Sequence, residues 1–302
     1  MIFLQILQTF RGFAIDILPL FIIALVVSSV FMEYFSFRSL DRLMLGKRGR
    51  TTFTSTLFAV FLPVTPVCRI PMAASIERYG AGWPYTLAFV GVGAGASLPA
   101  LIITFMISWQ FAALRVIAAL AFLIVLPLIV RKVLEPRFSS RPLDFEIKSL
   151  FNQDFCEVSY DYINKDNLEP KLSGAWQNFL KLARITLPWL VLSLFIASLV
   201  YVIVPSEAIR AILGGKYTAL KTSLLGFPFY FALGLEVPIL FVLLKKGMDM
   251  GAAVSLMLAA PVVNFPVLST LGRWLGYKKA VAFIFCCWLA ASAIGVFFSY
   301  VG

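Results

Sequence analysis

The chain has 302 residues, of which 61% are hydrophobic and only 14% charged, with a net charge of +11 and no histidine. Soluble domains carry roughly a quarter charged residues, so the composition is that of an integral membrane protein. Its basic excess belongs to cytoplasmic loops rather than to a nucleic-acid surface. The lack of histidine removes the commonest metal ligand and the usual neutral-pH proton carrier. No metal or cofactor is indicated, and any proton coupling has to use carboxylates.

A helix needs ~20 apolar residues to cross a bilayer. The first such run covers 12–34, with Leu18-Pro19 near its start and no basic stretch before it. It reads as part of the fold rather than as a removable leader. A basic loop follows, with Arg38, Arg42, Lys47, Arg48 and Arg50. The next region, 51–80, is apolar but interrupted by Pro63, Pro66 and Pro71, and proline breaks the helical ladder. Two spans, 83–108 and 111–133, complete the first half. Gly91 and Gly95 make a small-residue face in the first of them, suited to close helix packing. The stretch 136–178 is the hydrophilic one and reads as a linker. The second half has spans at 180–203, 250–272 and 279–300. Its interrupted region, 218–247, contains Pro228 and Pro238.

The halves repeat each other. Pro71 matches Pro238, Gly80 matches Gly247, Ser97 matches Asn264 and Pro99 matches Pro266, each pair 167 apart (238−71, 247−80, 264−97, 266−99). Each repeat crosses the bilayer an odd number of times: three with a hairpin, or five if both arms of the interrupted region cross. The expected fold is therefore an all-α membrane protein of two inverted-topology repeats. Each has about three full spans plus an interrupted or re-entrant helical hairpin. The expected boundaries are 1–135 for the first repeat, 136–178 for a cytoplasmic linker and 179–302 for the second repeat. The basic loops place both termini outside.

The same 167-residue offset relates Arg69 to Glu236 (236−69), each two residues before the repeated proline. Ionisable groups at membrane depth are costly and face a cavity or a partner. An Arg69–Glu236 ion pair near the pseudo-twofold axis is the natural inference. It acts either as a structural lock between the halves or as a substrate gate, with Arg69 holding an anion and Glu236 carrying a proton. Ser97 and Asn264, each two residues before a proline, are the second candidate pair; the run 260–266 reads as an unwound segment lining a pathway. Cys68 is a candidate soft ligand or an inert packing residue. Four cysteines without close pairing motifs indicate no disulfide framework. Pro71, Pro238, Pro99, Pro266, Gly80 and Gly247 are the expected helix-breaking positions.

The stretches Pro66-Val67-Cys68-Arg69-Ile70-Pro71, Gly234-Leu235-Glu236-Val237-Pro238 and Ala259-Ala260-Pro261-Val262-Val263-Asn264 resemble a bacterial predicted-permease family. That family includes YraQ-type proteins and the ArsP organoarsenical efflux permeases. The resemblance implies a multispan inner-membrane permease, an exporter of soft or organometalloid compounds among its options. Where the family pairs cysteines before the proline, this chain has Cys68 with Arg69, and the second repeat has Leu235-Glu236. An arginine–glutamate centre fits an anionic or zwitterionic solute better than a thiol-bound one. The sequence reading is thus a secondary permease with alternating access and a small-molecule substrate, embedded in lipid, with a homo-oligomer compatible. The rival is a channel or a membrane scaffold. The absence of a nucleophile–base constellation or nucleotide loop points away from an enzyme and from direct use of ATP.

Overall fold

The computed structural model describes residues 2–34, 62–78, 82–95, 97–105, 107–134, 172–215, 217–228 and 234–301. Among these residues there are twelve helices and no strand. Helices are what an apolar chain of this kind forms, because in lipid each backbone must satisfy its own hydrogen bonds.

α1 (Ile2–Tyr34) and α6 (Leu172–Ile203) are the longest helices, with 33 and 32 residues. At about 1.5 Å rise per residue they measure roughly 50 Å, more than the roughly 30 Å hydrocarbon core. They pack side by side. Their inner faces bury Ile17, Phe21, Leu25, Leu190 and Leu194, while Leu7, Ile15, Ile22, Leu187 and Val191 stay exposed. Such an apolar outer face calls for lipid. Buried hydroxyls return to the carbonyl one turn back: Ser28 Oγ donates to Ala24 O at 2.5 Å, and Thr186 Oγ1 and Ser198 Oγ donate to Leu182 O and Leu194 O, both at 2.7 Å. α6 starts inside the stretch expected to be linker. Gly174 lets α1 come close, since a Cβ there would lie 2.5 Å from Glu33 Oε1, and Asn178 Nδ2 donates to Glu33 Oε2 at 3.3 Å. Most of the remaining linker, with the basic loop, Gly80 and much of 51–80, lies outside the described residues.

The first half continues with α2 (Pro66–Arg78), α3 (Trp83–Gly95), α4 (Leu98–Thr104) and α5 (Trp109–Val133). The second continues with α7 (Ser206–Leu213), α8 (Ala219–Thr222), α9 (Val237–Lys245), α10 (Met250–Ala259), α11 (Phe265–Leu275) and α12 (Tyr277–Val301). Among the described residues five stretches are long and apolar enough to cross a membrane: Ile2–Tyr34, Trp83–Thr104, Trp109–Val133, Leu172–Ile203 and Tyr277–Tyr300. The expected sixth span, 250–272, is instead two helices of 10 and 11 residues, α10 and α11. The cause is local: Pro261 and Pro266 withdraw two amide donors within six residues. The expected span 83–108 is divided likewise, between α3 and α4.

Sequence-equivalent helices make equivalent contacts. α3 packs on α5 as α10 packs on α12, α2 on α3 as α9 on α10, and α4 on α5 as α11 on α12. Between the halves, α2 meets α11 and α9 meets α4, while α1 meets α6, α3 meets α10 and α5 meets α12. α10 is the centre, with every residue from Gly251 to Ala259 buried. The glycine face of α3 does pack closely: a Cβ on Gly91 would lie 2.4 Å from Leu126 of α5, and one on Gly95 would touch Leu258 of α10 at 3.5 Å.

Not every expected break is one. Pro71 lies inside α2, five residues after its first residue, Pro66, and the helix continues through it. Pro238, Pro99 and Pro266 sit in the first turns of α9, α4 and α11, where a missing amide donor costs nothing. They mark helix starts at the breaks rather than kinks inside a helix. Gly247 closes α9 with a φ of +93°, and Met248 N donates back to Leu243 O at 3.0 Å.

Candidate functional site: a three-way arginine contact at a helix break

When α3 ends at Gly95, its last carbonyls lose their helical partners. One is satisfied by a side chain from α5: Arg115 Nε donates to Gly95 O at 2.9 Å. The same guanidinium reaches the far end of the next helix, where Nη1 donates to Thr104 Oγ1 at 2.9 Å. Thr104 in turn donates to Ala100 O at 2.5 Å. The third arm crosses to the other half of the protein. Arg115 Nη2 forms an ion pair with Glu236 Oε1, and both side chains are almost completely buried. One residue thus ties together α3, α4 and the start of α9.

Glu236 is held from its own side as well. It is the N-cap of α9 and ends a turn in which Val237 N donates to Gly234 O at 3.0 Å. Gly234 has a φ of +91° and lies so close to α4 that a Cβ would come within 2.7 Å of Ala100 Cα. Leu235 O accepts from Ser193 Oγ of α6 at 2.5 Å. The backbone around the carboxylate is therefore fixed against both α4 and α6. The carboxylate itself is half satisfied: Glu236 Oε2 is buried with no hydrogen-bond partner among the described residues. Ser97 Oγ, at the N-cap of α4, is the second such atom. Ser97 has extended backbone but makes no side-chain cap.

The ion pair at Glu236 is therefore made by Arg115, not by Arg69 as expected. Arg69 is fully buried; its Nη2 donates to Leu62 O at 2.6 Å and its Nε to Val64 O at 3.2 Å, with its guanidinium 6.0 Å from the Phe89 ring centroid. The reason is topological. α2 packs on α3 and α11, whereas α9 packs on α4, α6 and α10. The helix of each residue packs on the other half's second broken helix rather than on its own counterpart.

Asn264 ends an unwound stretch, 260–264, which is shorter than the expected 260–266 because Phe265 and Pro266 already belong to α11. It staples that stretch, with Oδ1 accepting from Val267 N at 3.0 Å and Nδ2 donating to Ala260 O at 3.1 Å and Pro261 O at 2.9 Å. Cys68 is buried, accepts from Thr65 Oγ1 at 2.9 Å and is disulfide-bonded. That corrects both the expectation of no disulfide framework and the idea of a free soft ligand here, and cysteine spacing alone does not reveal pairing. Cys286 and Cys287 are buried in α12. Arg115 and Thr104 were missed by sequence reasoning; the available signal was a lone arginine in an apolar span.

A family model described as a predicted permease, ArsP_1, matches residues 2–301. The UPF0718 protein MJ0584 of Methanocaldococcus jannaschii is 33% identical over 105 residues, which is 34% of this chain and 29% of that protein. The UPF0718 protein YraQ of Escherichia coli K12 is 24% identical over 229 residues, 75% of this chain and 61% of that one. The chain thus spans less than two thirds of the length of either relative. No solved structure matches it significantly.

Proposed function

We propose, on the premise that this chain belongs to the ArsP_1 predicted-permease family, that it is a secondary permease whose solute passes the helix breaks around Glu236. Family membership with several long apolar helices makes it a multi-pass membrane permease. The finer reading is ours. The repeats are inverted, the linker and basic loops are cytoplasmic, and the membrane is the inner one. The paired helix contacts between the halves support the inversion. The single observation that carries the site is the buried carboxylate of Glu236, paired through one oxygen and unpartnered at the other. A charge in this position is expensive and marks a pathway rather than a mere prop.

Arg115 already uses three donor atoms, so a free anion has little claim on it. Among anionic, zwitterionic and organometalloid solutes, a zwitterion offering its ammonium to Glu236 Oε2 fits best. The disulfide at Cys68 weakens the thiol-bound organometalloid branch. Glu236 is also the group we assign to proton coupling. The scaffold reading rests on one specific fact, that each of the three guanidinium nitrogens of Arg115 is bonded within the protein.

Proteoliposome counterflow separates the two readings. Internal amino acids, organic anions or organoarsenicals should each be tested for accelerating entry of a labelled homologue. Saturable counterflow with one class, lost in Glu236→Gln, is the expected result. Counterflow with a solute that survives Glu236→Gln unchanged would remove Glu236 from the pathway.

A further inference from the structure

We propose that Arg115 is the latch of this permease, and that a cationic hydrogen-bond donor arriving at Glu236 Oε2 opens it. The inference rests on the pathway reading above and adds a mechanism to it. Arg115 Nε and Nη1 hold the two helices of the first half on either side of their break, and Nη2 holds the second half. The only charge that draws the guanidinium toward α9 among the described residues is Glu236. Neutralising that carboxylate removes the attraction between the halves and leaves the two bonds within the first half intact. α4 then separates from the Gly234 turn, which touches it at Ala100.

The unpartnered oxygen says what arrives. Glu236 Oε2 is an acceptor in need of a donor. An anion has nothing to offer it; a proton or an ammonium group does. The surroundings leave Arg115 and Glu236 to respond to each other. Of the helices packed on α9, α4 and α10 carry no Asp, Glu, Lys, Arg or Tyr, and α6 carries Lys181, Arg184 and Tyr201. α6 presents Ser193 at this level, with Arg184 more than two turns away and Tyr201 beside Lys246. On the α5 side, Arg131 and Lys132 sit at the far end of the helix from Arg115.

Hydrogen exchange of the full-length protein in nanodiscs tests this. Peptides covering 98–104 and 234–240 are followed, corrected for intrinsic rates, in wild type, Glu236→Gln, Arg115→Lys and Arg115→Met. Glu236→Gln and Arg115→Met should speed exchange in those two peptides at neutral pH at least ten-fold more than in peptides from α10 and α12, whose change follows only the loss of global stability. Arg115→Lys should restore much of the protection. In wild type, acidification or methylammonium at fixed pH should reproduce the opening, and tetramethylammonium, which has no N–H, should not. A response to acid alone assigns the donor to the coupling proton; a response to methylammonium assigns it to the solute. Wild-type exchange in Glu236→Gln overturns the latch, and so does a uniform loss of protection that includes α10 and α12. If counterflow needs Glu236 but exchange ignores it, the latch fails and the pathway stands; local opening without counterflow of any solute spares the latch and sinks the pathway.

Discussion

Ser97 and Asn264 occupy equivalent N-cap positions 167 residues apart, yet Asn264 caps its helix and Ser97 does not. Asn264 makes three hydrogen bonds to backbone that the break has freed. Ser97 Oγ makes none. Losing a cap costs about 1 kcal/mol, and each buried group left unpaired adds about 1–3 kcal/mol. Asn264→Ala should therefore lower the thermal unfolding midpoint in detergent by several degrees, while Ser97→Ala leaves it unchanged or raises it slightly. Ser97→Ala should show itself in counterflow instead. Equal destabilisation by the two substitutions would mean that Ser97 has a structural bond after all.

That asymmetry also marks what the sequence could reveal. The interruption at 260–266 was legible because two prolines and an asparagine break an apolar run, and the first half repeats the pattern at Ser97 and Pro99. Glu236 was legible as a charge at membrane depth. Its partner was not. The residue 167 beyond Arg115 is Ala282, so a search by repeat equivalence passes over the arginine. Pro71 misled in the opposite direction. Proline disfavours a helix interior, but α2 is packed between α3 and α11, and tertiary contacts outweigh one lost hydrogen bond. Nor does local pattern say which helices of the two halves will meet. That follows from packing across the whole chain.

The Arg115–Glu236 pair should behave as a coupled unit. Removing one partner from a buried pair leaves an uncompensated charge, at a cost of about 3–5 kcal/mol, whereas removing both can be nearly neutral. Arg115→Met alone should be severely destabilised, and Arg115→Met with Glu236→Gln should recover most of the loss. A double-mutant cycle on unfolding midpoints measures this. Additive effects would show that the two side chains do not share the energy their geometry implies.

The α10–α12 crossing depends on the absence of side chains. A Cβ on Gly251 would sit 2.1 Å from both Gly295 O and Ser299 Oγ, and one on Gly295 would sit 2.6 Å from Gly251 O. Backbone cannot yield as a side-chain tip can, so the helices must separate. Gly251→Ala should cost at least the 1–3 kcal/mol or so typical of overpacking. Gly12→Ala on α1 is the contrast, since nothing lies within 4 Å of its Cβ position. It should be neutral or stabilising by about 0.5–1 kcal/mol, from helix propensity alone. Unfolding midpoints of the two variants, measured in one detergent, decide the matter; a tolerated Gly251→Ala would mean the crossing is looser than described.

Gly234 carries two constraints at once, and they can be separated. Its φ of +91° strains any side chain, and its Cβ position lies 2.7 Å from Ala100 Cα. Gly276 has a similar φ of +83° with open space around it. Positive-φ backbone of this kind costs a side chain about 1–3 kcal/mol. Gly276→Ala should show that cost and keep normal counterflow. Gly234→Ala should lose further stability, because the turn must move off α4, and that shift carries Glu236 away from Arg115. Counterflow should fall at least ten-fold even below the unfolding temperature. If Gly234→Ala loses stability only to the extent of Gly276→Ala and transports normally, the close approach of this turn to α4 does not set the position of the carboxylate.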